Sequence, residues 1–354
     1  MAQALRLARR GLGKTTPNPS VGCVLVRDGQ VIGEGFTQPA GQHHAEIEAL
    51  ADADSRHADT RGATAYVTLE PCSHYGRTPP CVEALIGAGV SRVAAAMQDP
   101  NPLVSGQGLE RLRGAGISTA CGLMAEQAQE LNIGFVSRMT RGRPWLRVKV
   151  AASLDGKTAL NNGLSQWITG APARLDGHRW RARACAILTG IGTIRDDDPQ
   201  LSVRGVKTSR QPLKVVVDSR LELPLTARVL EGGQLLVATA CAEAAKIEAL
   251  ARLGAEVVVL PNDHGKVDLA GLMSELARRG VNEIHAEAGM KLNGSLLREG
   301  LVDELLLYLA PMLLGDAARG MFDLPELADL AGRRELKFRE VRRIGADLRI
   351  LARF

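Results

Sequence analysis

At 354 residues the chain is long enough for two domains, and its hydrophobic fraction of 45% is that of a globular protein. The net charge is +5, with 14 Lys and Arg against 13 Asp and Glu before residue 144, so neither half carries the basic excess of a nucleic-acid footprint. Six cysteines are too sparse for a disulfide scaffold, no apolar run reaches the ~18 residues of a membrane span, and Arg6, Arg9 and Arg10 interrupt any leader, so a cytoplasmic setting is expected.

In chain order, residues 2–13 read as a short amphipathic helix with Leu5, Ala8 and Leu12 on one stripe, ended by Thr16-Pro17-Asn18-Pro19. Strands at 21–27 and 31–36 flank the hairpin dipeptide Asp28-Gly29. A helix over 44–51 opens with His43-His44-Ala45-Glu46. A buried strand over 63–69 runs into Pro71-Cys72, and a helix over 78–87 carries Cys81. A strand at 91–97, a loop at 99–105, a helix at 108–115, a strand at 117–120 and a helix at 125–137 complete the first half. This order predicts a three-layer α/β/α sheet with candidate ligands at two helix starts. The polar, basic segment 138–144, ending in Gly-Arg-Pro, is the expected boundary between domains 1–143 and 144–354.

Two pieces of the first half read together as a metal site. His44, Cys72 and Cys81 offer one imidazole and two thiolates, the three ligands of a zinc that keeps its fourth position open. Coordination brings the pKa of water from ~15.7 to about 7. Glu46, two residues from His44, can move that water's proton without ligating the metal. Each residue has an ordinary use by itself, a Cys as a small apolar filler and a His as a polar group at a helix start; the conjunction carries the reading. His-x-Glu followed by Pro-Cys-x-x-Cys is the signature of zinc nucleobase deaminases. Here the first half matches, and the second departs because eight residues separate Cys72 from Cys81. The other cysteines, Cys23, Cys121, Cys185 and Cys241, are expected to be buried free thiols.

The second half alternates strands and helices, which predicts a mostly parallel sheet. Strands are expected at 145–152, 186–189, 213–217, 234–239, 256–260, 283–288 and 301–310, and helices at 171–183, 242–252 and 269–280. The strand over 186–189 leads into Gly190-Ile191-Gly192-Thr193 and then Asp196-Asp197-Asp198-Pro199, with no helix assigned there. No Gly-x-Gly-x-x-Gly follows a first strand, so a conventional dinucleotide turn is not expected. Two features suit an anionic cofactor. The run Gly289-Met290-Lys291-Leu292-Asn293-Gly294-Ser295 leaves a strand and opens a helix, and Ser219-Arg220 stands at a strand end with Asp218 still in the strand. Each is also what a plain connection looks like.

The stretch Leu69-Glu70-Pro71-Cys72-Ser73-His74-Tyr75-Gly76-Arg77-Thr78-Pro79-Pro80-Cys81 closely resembles the motif of the bifunctional riboflavin-biosynthesis deaminase/reductase family. So do Thr16-Pro17-Asn18-Pro19-Ser20-Val21-Gly22 and Gln98-Asp99-Pro100-Asn101-Pro102. The resemblance covers essentially the whole chain; the family often has a His where Tyr75 stands, at a position that is not a ligand. It implies a cytidine-deaminase-like zinc domain over 1–143 and a dihydrofolate-reductase-like, NADPH-dependent domain over 144–354. One Zn2+ would sit on His44, Cys72 and Cys81 with Glu46 catalytic. Asn18 is either a turn former or, as the resemblance suggests, an amide on the pyrimidine edge.

Carried over by position, NADPH would meet Ala151, Trp167, Thr193, Asp197, Ser219 and the run from Gly289 to Ser295. Substrate would meet Ser165, Arg181, Leu201, Arg204 and Glu287. Arg181 and Arg204 offer the fork-like cations a phosphoribosyl group needs, although a helix Arg is more often a solvated face. Lys157 is a further candidate, for polarising the sugar carbonyl. The substrate implied is a phosphoribosyl-pyrimidine, with no nucleic acid or membrane partner, and a homo-oligomer, dimer or tetramer. Two rivals make different demands. A tRNA-editing type of deaminase needs a basic, aromatic-lined face. A structural zinc module fused to a sensor needs a fourth protein ligand, with His43, His74 and Cys23 available.

Overall fold

The computed structural model describes residues 1–75 and 79–354. The start of the helix expected at 78 and the motif residues 76–78 lie outside the described residues. The chain divides into two compact units, Met1–Arg143 and Pro144–Phe354.

The first unit contains α1 (Ala2–Ala8), β1 (Gly22–Arg27), β2 (Gln30–Phe36), α2 (Ala45–Ser55), β3 (Thr64–Val67) and α3 (Cys81–Gly87). These are followed by β4 (Arg92–Ala95), α4 (Gln107–Gly114), β5 (Ser118–Cys121), α5 (Ala125–Leu131) and α6 (Ile133–Arg141). The sheet order is β2-β1-β3-β4-β5. The first three strands are antiparallel neighbours and the last three parallel. Helix α2 packs on β2 and against α3, and α3 against α4, while α1 packs on β1 and against α5, which gives the expected three layers.

The layers approach closely because glycine faces alanine. A Cβ on Gly33 would stand 2.3 Å from the Ala49 carbonyl oxygen, and one on Gly35 would stand 2.3 Å from that of Ala45. The stripe Ala45, Ala49 and Ala53 is fully buried and lies on one face of α2. On the other side of the sheet, a Cβ on Gly22 would meet the Ala4 carbonyl oxygen at 1.9 Å. The helix expected over 125–137 is two helices, broken at Asn132, and the first helix ends at Ala8 in a 3-10 turn, Arg9–Gly11.

The second unit runs β6 (Trp145–Ser153), β7 (Lys157–Ala159), α7 (Ala171–Arg183), β8 (Ala186–Gly190), α8 (Ile191–Asp197), β9 (Leu213–Val217), β10 (Leu235–Thr239) and α9 (Ala244–Arg252). Then come β11 (Ala255–Val259), α10 (Leu269–Arg278), β12 (Glu283–Ala286), α11 (Met290–Arg298), β13 (Glu304–Ala310), β14 (Arg319–Gly320), β15 (Lys337–Ile344) and β16 (Asp347–Arg353). Its nine-stranded sheet has the order β11-β10-β9-β8-β12-β6-β13-β16-β15. Seven strands, β11 through β13, are mutually parallel, and β16 and β15 add antiparallel to that edge. The mostly parallel α/β expectation therefore holds.

Three details differ. Residues 191–197 form a helix where none was expected, with Gly190 at its N-cap. Strand β9 stops at Val217, so Asp218 lies past the strand; its buried carboxylate accepts the Leu223 N–H at 2.7 Å. The hairpin β15–β16 and the small pair β7–β14 were not anticipated.

Candidate active site

Strand β3 and helices α2 and α3 converge on the metal-type cluster. His44 is the N-cap of α2, so its ring is fixed where the helix begins, and Glu46 sits buried in the first turn. Cys72 follows the apolar run that contains β3, and Cys81 opens α3. The ligand atoms of His44, Cys72 and Cys81 all lie within 4.8 Å of one another, and among the described residues the group has three members. His44 Nδ1 is 3.6 Å from Cys72 Sγ and 3.3 Å from Cys81 Sγ. A tetrahedral zinc with bonds of about 2.3 Å to sulfur and about 2.0–2.1 Å to nitrogen sets such separations at roughly 3.5 Å, so the donor set fits that ion. His43 turns outward to Glu48 at 3.0 Å and is exposed.

The electrostatics follow from burial among thiols. Hydrogen bonding from Cys81, helped by His44 and the Cys81 N–H, lowers the Cys72 thiol to about 4, while the same pairing and burial hold Cys81 up. Hydrogen bonding to Cys72 raises His44. Burial, and next the Cys72 charge, push the Glu46 carboxyl up to about 7.

The cluster opens into a cavity of about 240 Å³ whose wall includes Asn18, Glu46, His74, Asp99, Asn101 and Phe135. Asn18 is thus brought to the metal-type site. Its segment is pinned from across the unit: the Asn132 side chain accepts the Ser20 N–H at 2.7 Å and donates to the Ser20 carbonyl at 2.9 Å, both in the interior. On the opposite wall the buried Glu70 carboxylate takes N–H bonds from Asp99, Gly106, Gly108 and Leu109. Burial, and then Glu70, raise the Asp99 carboxyl. Sequence reasoning missed Asn132 and Glu70. The first had a signal in breaking a helical pattern, the second in standing as a carboxylate at the end of an apolar strand. Tyr75 is exposed and outside this wall. Cys23 and Cys185 are buried as expected, but Cys121 is exposed on the edge strand β5 and Cys241 is half-buried.

In the second unit, Ala151, Thr193, Ser219 and Gly289 stand at the carboxyl ends of β6, β8, β9 and β12. These strands are neighbours, and the chain order reverses between β8 and β12, the kind of edge where open α/β sheets bind ligands. Thr193 follows β8 on α8, Ser219 follows β9, and Gly289 caps α11 after β12, while Ala151 lies near the end of β6. Leu292 packs on Gly190, where a Cβ would meet its Cδ2 at 3.2 Å. A dinucleotide suits the α11 N-terminus, whose first N–H groups have no intrahelical partner. Within the run, Asn293 and Gly294 face inward. Asn293 Nδ2 donates to the Ala288 and Met321 carbonyls, with its buried Oδ1 unpartnered, and a Cβ on Gly294 would meet the Asp323 carbonyl oxygen at 2.1 Å. Lys291 is exposed, Met290 half-buried, and the Ser295 hydroxyl donates to the Lys291 carbonyl. Ser219 Oγ accepts the Val267 N–H at 3.2 Å.

Arg181 and Glu287 form a two-pronged pair, Nε to Oε1 at 2.5 Å and Nη2 to Oε2 at 2.9 Å, and Arg181 Nη1 donates to the Ser202 carbonyl. Burial opposes ionisation of Glu287, but Arg181 and Lys149 hold it well below the usual carboxylate range. Leu201 is buried at φ +51, a left-handed conformation costly for a side-chain-bearing residue. Arg204 donates its N–H to His178 Nδ1 at 3.2 Å. Burial, and then Arg181, push His178 down to about 4, which keeps that acceptor neutral. Ser165 donates to Asp197 at 3.5 Å. Trp167 is exposed with the Arg174 guanidinium 4.5 Å over its ring, and Lys157 Nζ is turned to the Asp316 carbonyl at 3.3 Å.

Three donors disposed for zinc beside a buried carboxylate make the first α/β unit a site of the zinc-deaminase type, and the second unit is a separate α/β domain with a sheet switch point. Residues 1–97 match the cytidine and deoxycytidylate deaminase zinc-binding region, and residues 144–350 match the RibD C-terminal domain. The riboflavin biosynthesis protein RibD of Escherichia coli K12 is 47% identical over 361 residues, covering 98% of this chain and 96% of that one. RibD of Haemophilus influenzae is 45% identical, with coverages of 99% and 95%. The structure of Acinetobacter baumannii RibD superposes with a TM-score of 0.92 at 44% identity, covering 99% of this chain and 97% of that one. The Thermotoga maritima diaminohydroxyphosphoribosylaminopyrimidine deaminase/5-amino-6-(5-phosphoribosylamino)uracil reductase superposes at 0.90 with 33% identity, covering 100% and 97%. The chain belongs to the RibD family: it is a bifunctional enzyme of riboflavin biosynthesis, deaminase and reductase, whose cofactors are zinc and NADPH. Among the described residues no helix is long and apolar enough to cross a membrane.

Proposed function

We propose that residues 1–143 deaminate 2,5-diamino-6-(ribosylamino)pyrimidinone 5′-phosphate. Residues 144–354 then reduce the ribosyl side chain of the product, giving 5-amino-6-(ribitylamino)uracil 5′-phosphate. The observation that carries this reading is the His44, Cys72 and Cys81 cluster beside buried Glu46 at a cavity of about 240 Å³.

His44, Cys72 and Cys81 would hold a zinc ion, which would lower the pKa of a water for attack on the amine-bearing ring carbon. Glu46 takes a proton on its carboxylate and hands it to the departing amine, which leaves as ammonia. Asn18, held by the Ser20–Asn132 clamp, hydrogen-bonds the pyrimidine edge. In the second unit NADPH would supply the hydride that reduces C1′ as the C1′–O4′ bond opens and O4′ takes a proton from water, and the chain contributes orientation and charge. The N–H groups at the start of α11 would take a cofactor phosphate, and Ser219 with Arg220 would take the 2′-phosphate. Ala151, Trp167, Thr193 and Asp197 complete that contact set. Arg204 and the remaining N–H groups of Arg181 hold the substrate phosphate, with Ser165, Leu201 and Glu287 around the sugar. A cytoplasmic homo-oligomer, dimer or tetramer, belongs to the same reading.

Glu46→Gln separates the two reactions. The variant is expected to release no ammonia from the diamino substrate while oxidising NADPH at the normal rate on the deaminated compound. Loss of both activities together would refute the two-site reading.

A further inference from the structure

Glu70 is a carboxylate withdrawn from solvent, two residues before the metal-type ligand Cys72, and no step above uses it. Each of its oxygens is filled by two backbone N–H groups. Oε2 takes those of Asp99 at 3.0 Å and Gly106 at 2.9 Å, and Oε1 takes those of Gly108 at 2.8 Å and Leu109 at 3.2 Å. It thereby grips both ends of the 99–106 segment and the first turn of α4, whose N–H groups have no intrahelical partner.

The approach is tight by construction. A Cβ on Gly108 would meet the Pro71 carbonyl oxygen at 2.1 Å, and Gly106 takes φ +84, a left-handed conformation that glycine adopts freely. Inside the segment the order continues stepwise. The Asn101 N–H goes to Asp99 Oδ1 at 2.8 Å, and the Leu103 N–H to Asn101 Oδ1 at 3.1 Å. The outcome is that Asp99 and Asn101 stand on the cavity wall that also carries His44, Glu46 and Cys72.

We propose that Glu70 is a positioning residue of the deamination reaction: it ties the strand end that bears Cys72 to the segment that presents Asp99 and Asn101 to the pyrimidine substrate. The inference rests on the deaminase reading of the first unit. Removing its charge while keeping its size, as in Glu70→Gln, turns an amide NH2 toward two N–H donors and breaks half of the grip. Charge-assisted hydrogen bonds are the strong ones, so the segment loses its fixed shape while the metal donors stay in place.

The test uses the full chain loaded with zinc and reads ammonia release, bound zinc and NADPH oxidation on the deaminated compound. Glu70→Gln is expected to raise KM for the diamino substrate at least about 10-fold, with kcat changed less than about 3-fold. Zinc should stay at one per chain and reduction should be unchanged. In an Asp99→Ala/Asn101→Ala background the same change is expected to add less than about 3-fold, because Glu70 acts through those two side chains. Zinc loss in Glu70→Gln, an unchanged KM, or a loss that multiplies with that double substitution would each overturn the proposal. If Glu70→Gln yields no folded chain, Glu70→Asp, which keeps the charge and shortens the reach, is read in the same way. A wild-type enzyme that releases no ammonia would sink the deaminase reading itself, whereas normal release without a Glu70→Gln effect would sink this inference alone.

Discussion

Asn132 does with one amide what a neighbouring strand does with a ladder. It satisfies both the N–H and the carbonyl of Ser20, 112 residues away, in the interior of the unit. The cost is borne by the helix, which breaks into α5 and α6 around it, and Phe135 from α6 joins the cavity wall beside Asn18. Asn132→Ala leaves two buried backbone groups unpaired, which destabilises the unit by about 2–4 kcal/mol. Because the freed segment carries Asn18, KM for the diamino substrate is expected to rise about 10-fold or more while NADPH oxidation on the deaminated compound stays normal. Thermal unfolding and the two separate rate assays check this. The metal-type residues were legible because their chemistry is unusual for their setting: His-x-Glu at a helix start and Pro-Cys at a strand end have few other uses together. Asn132 was not, because an Asn inside a helical pattern names no partner, and Ser20 is distant in sequence.

At the level of elements, the glycines of β2 set where α2 lies, and α2 sets where His44 and Glu46 point. A Cβ at Gly35 would stand 2.3 Å from the Ala45 carbonyl oxygen and 2.4 Å from the Ala49 nitrogen, backbone atoms that cannot turn aside. Gly35→Ala is expected to destabilise the first unit by roughly 2 kcal/mol or more. It should also cut ammonia release at least about 10-fold, since small displacements of catalytic groups are expensive. Gly87→Ala, at a helical site with nothing within 4 Å, is the neutral counterpart. Equal behaviour of the two variants would contradict this account of the packing.

The elements that were legible are those whose period and burial agree. Helix α7 runs over Ala171–Arg183 as read, and the parallel strands β8, β9 and β10 are short, almost continuously buried runs. Helix α8 is not legible in the sequence because Gly190 and Gly192 are poor helix formers, yet Gly190 serves at its N-cap, where Leu292 packs closely. Strand β15 escaped notice because none of its residues is buried, so no alternation marks it. The pair β7–β14 joins Ala159 to Arg319, a separation no local pattern reports.

Across the whole molecule, two α/β units carry two chemistries with unlike requirements. One needs a metal, a buried carboxylate and a cavity of about 240 Å³. The other needs an open sheet edge where an extended dinucleotide and a phosphorylated sugar can lie together. The donor geometry of His44, Cys72 and Cys81 makes the first reaction depend on zinc and leaves the second independent of it. The direct test strips the purified chain of metal with a chelator, then follows ammonia release from the diamino substrate and NADPH oxidation on the deaminated compound in one preparation. Ammonia release should fall to background and return with one equivalent of Zn2+, while NADPH oxidation runs unchanged throughout. Undiminished ammonia release from protein shown to be free of metal would contradict the account.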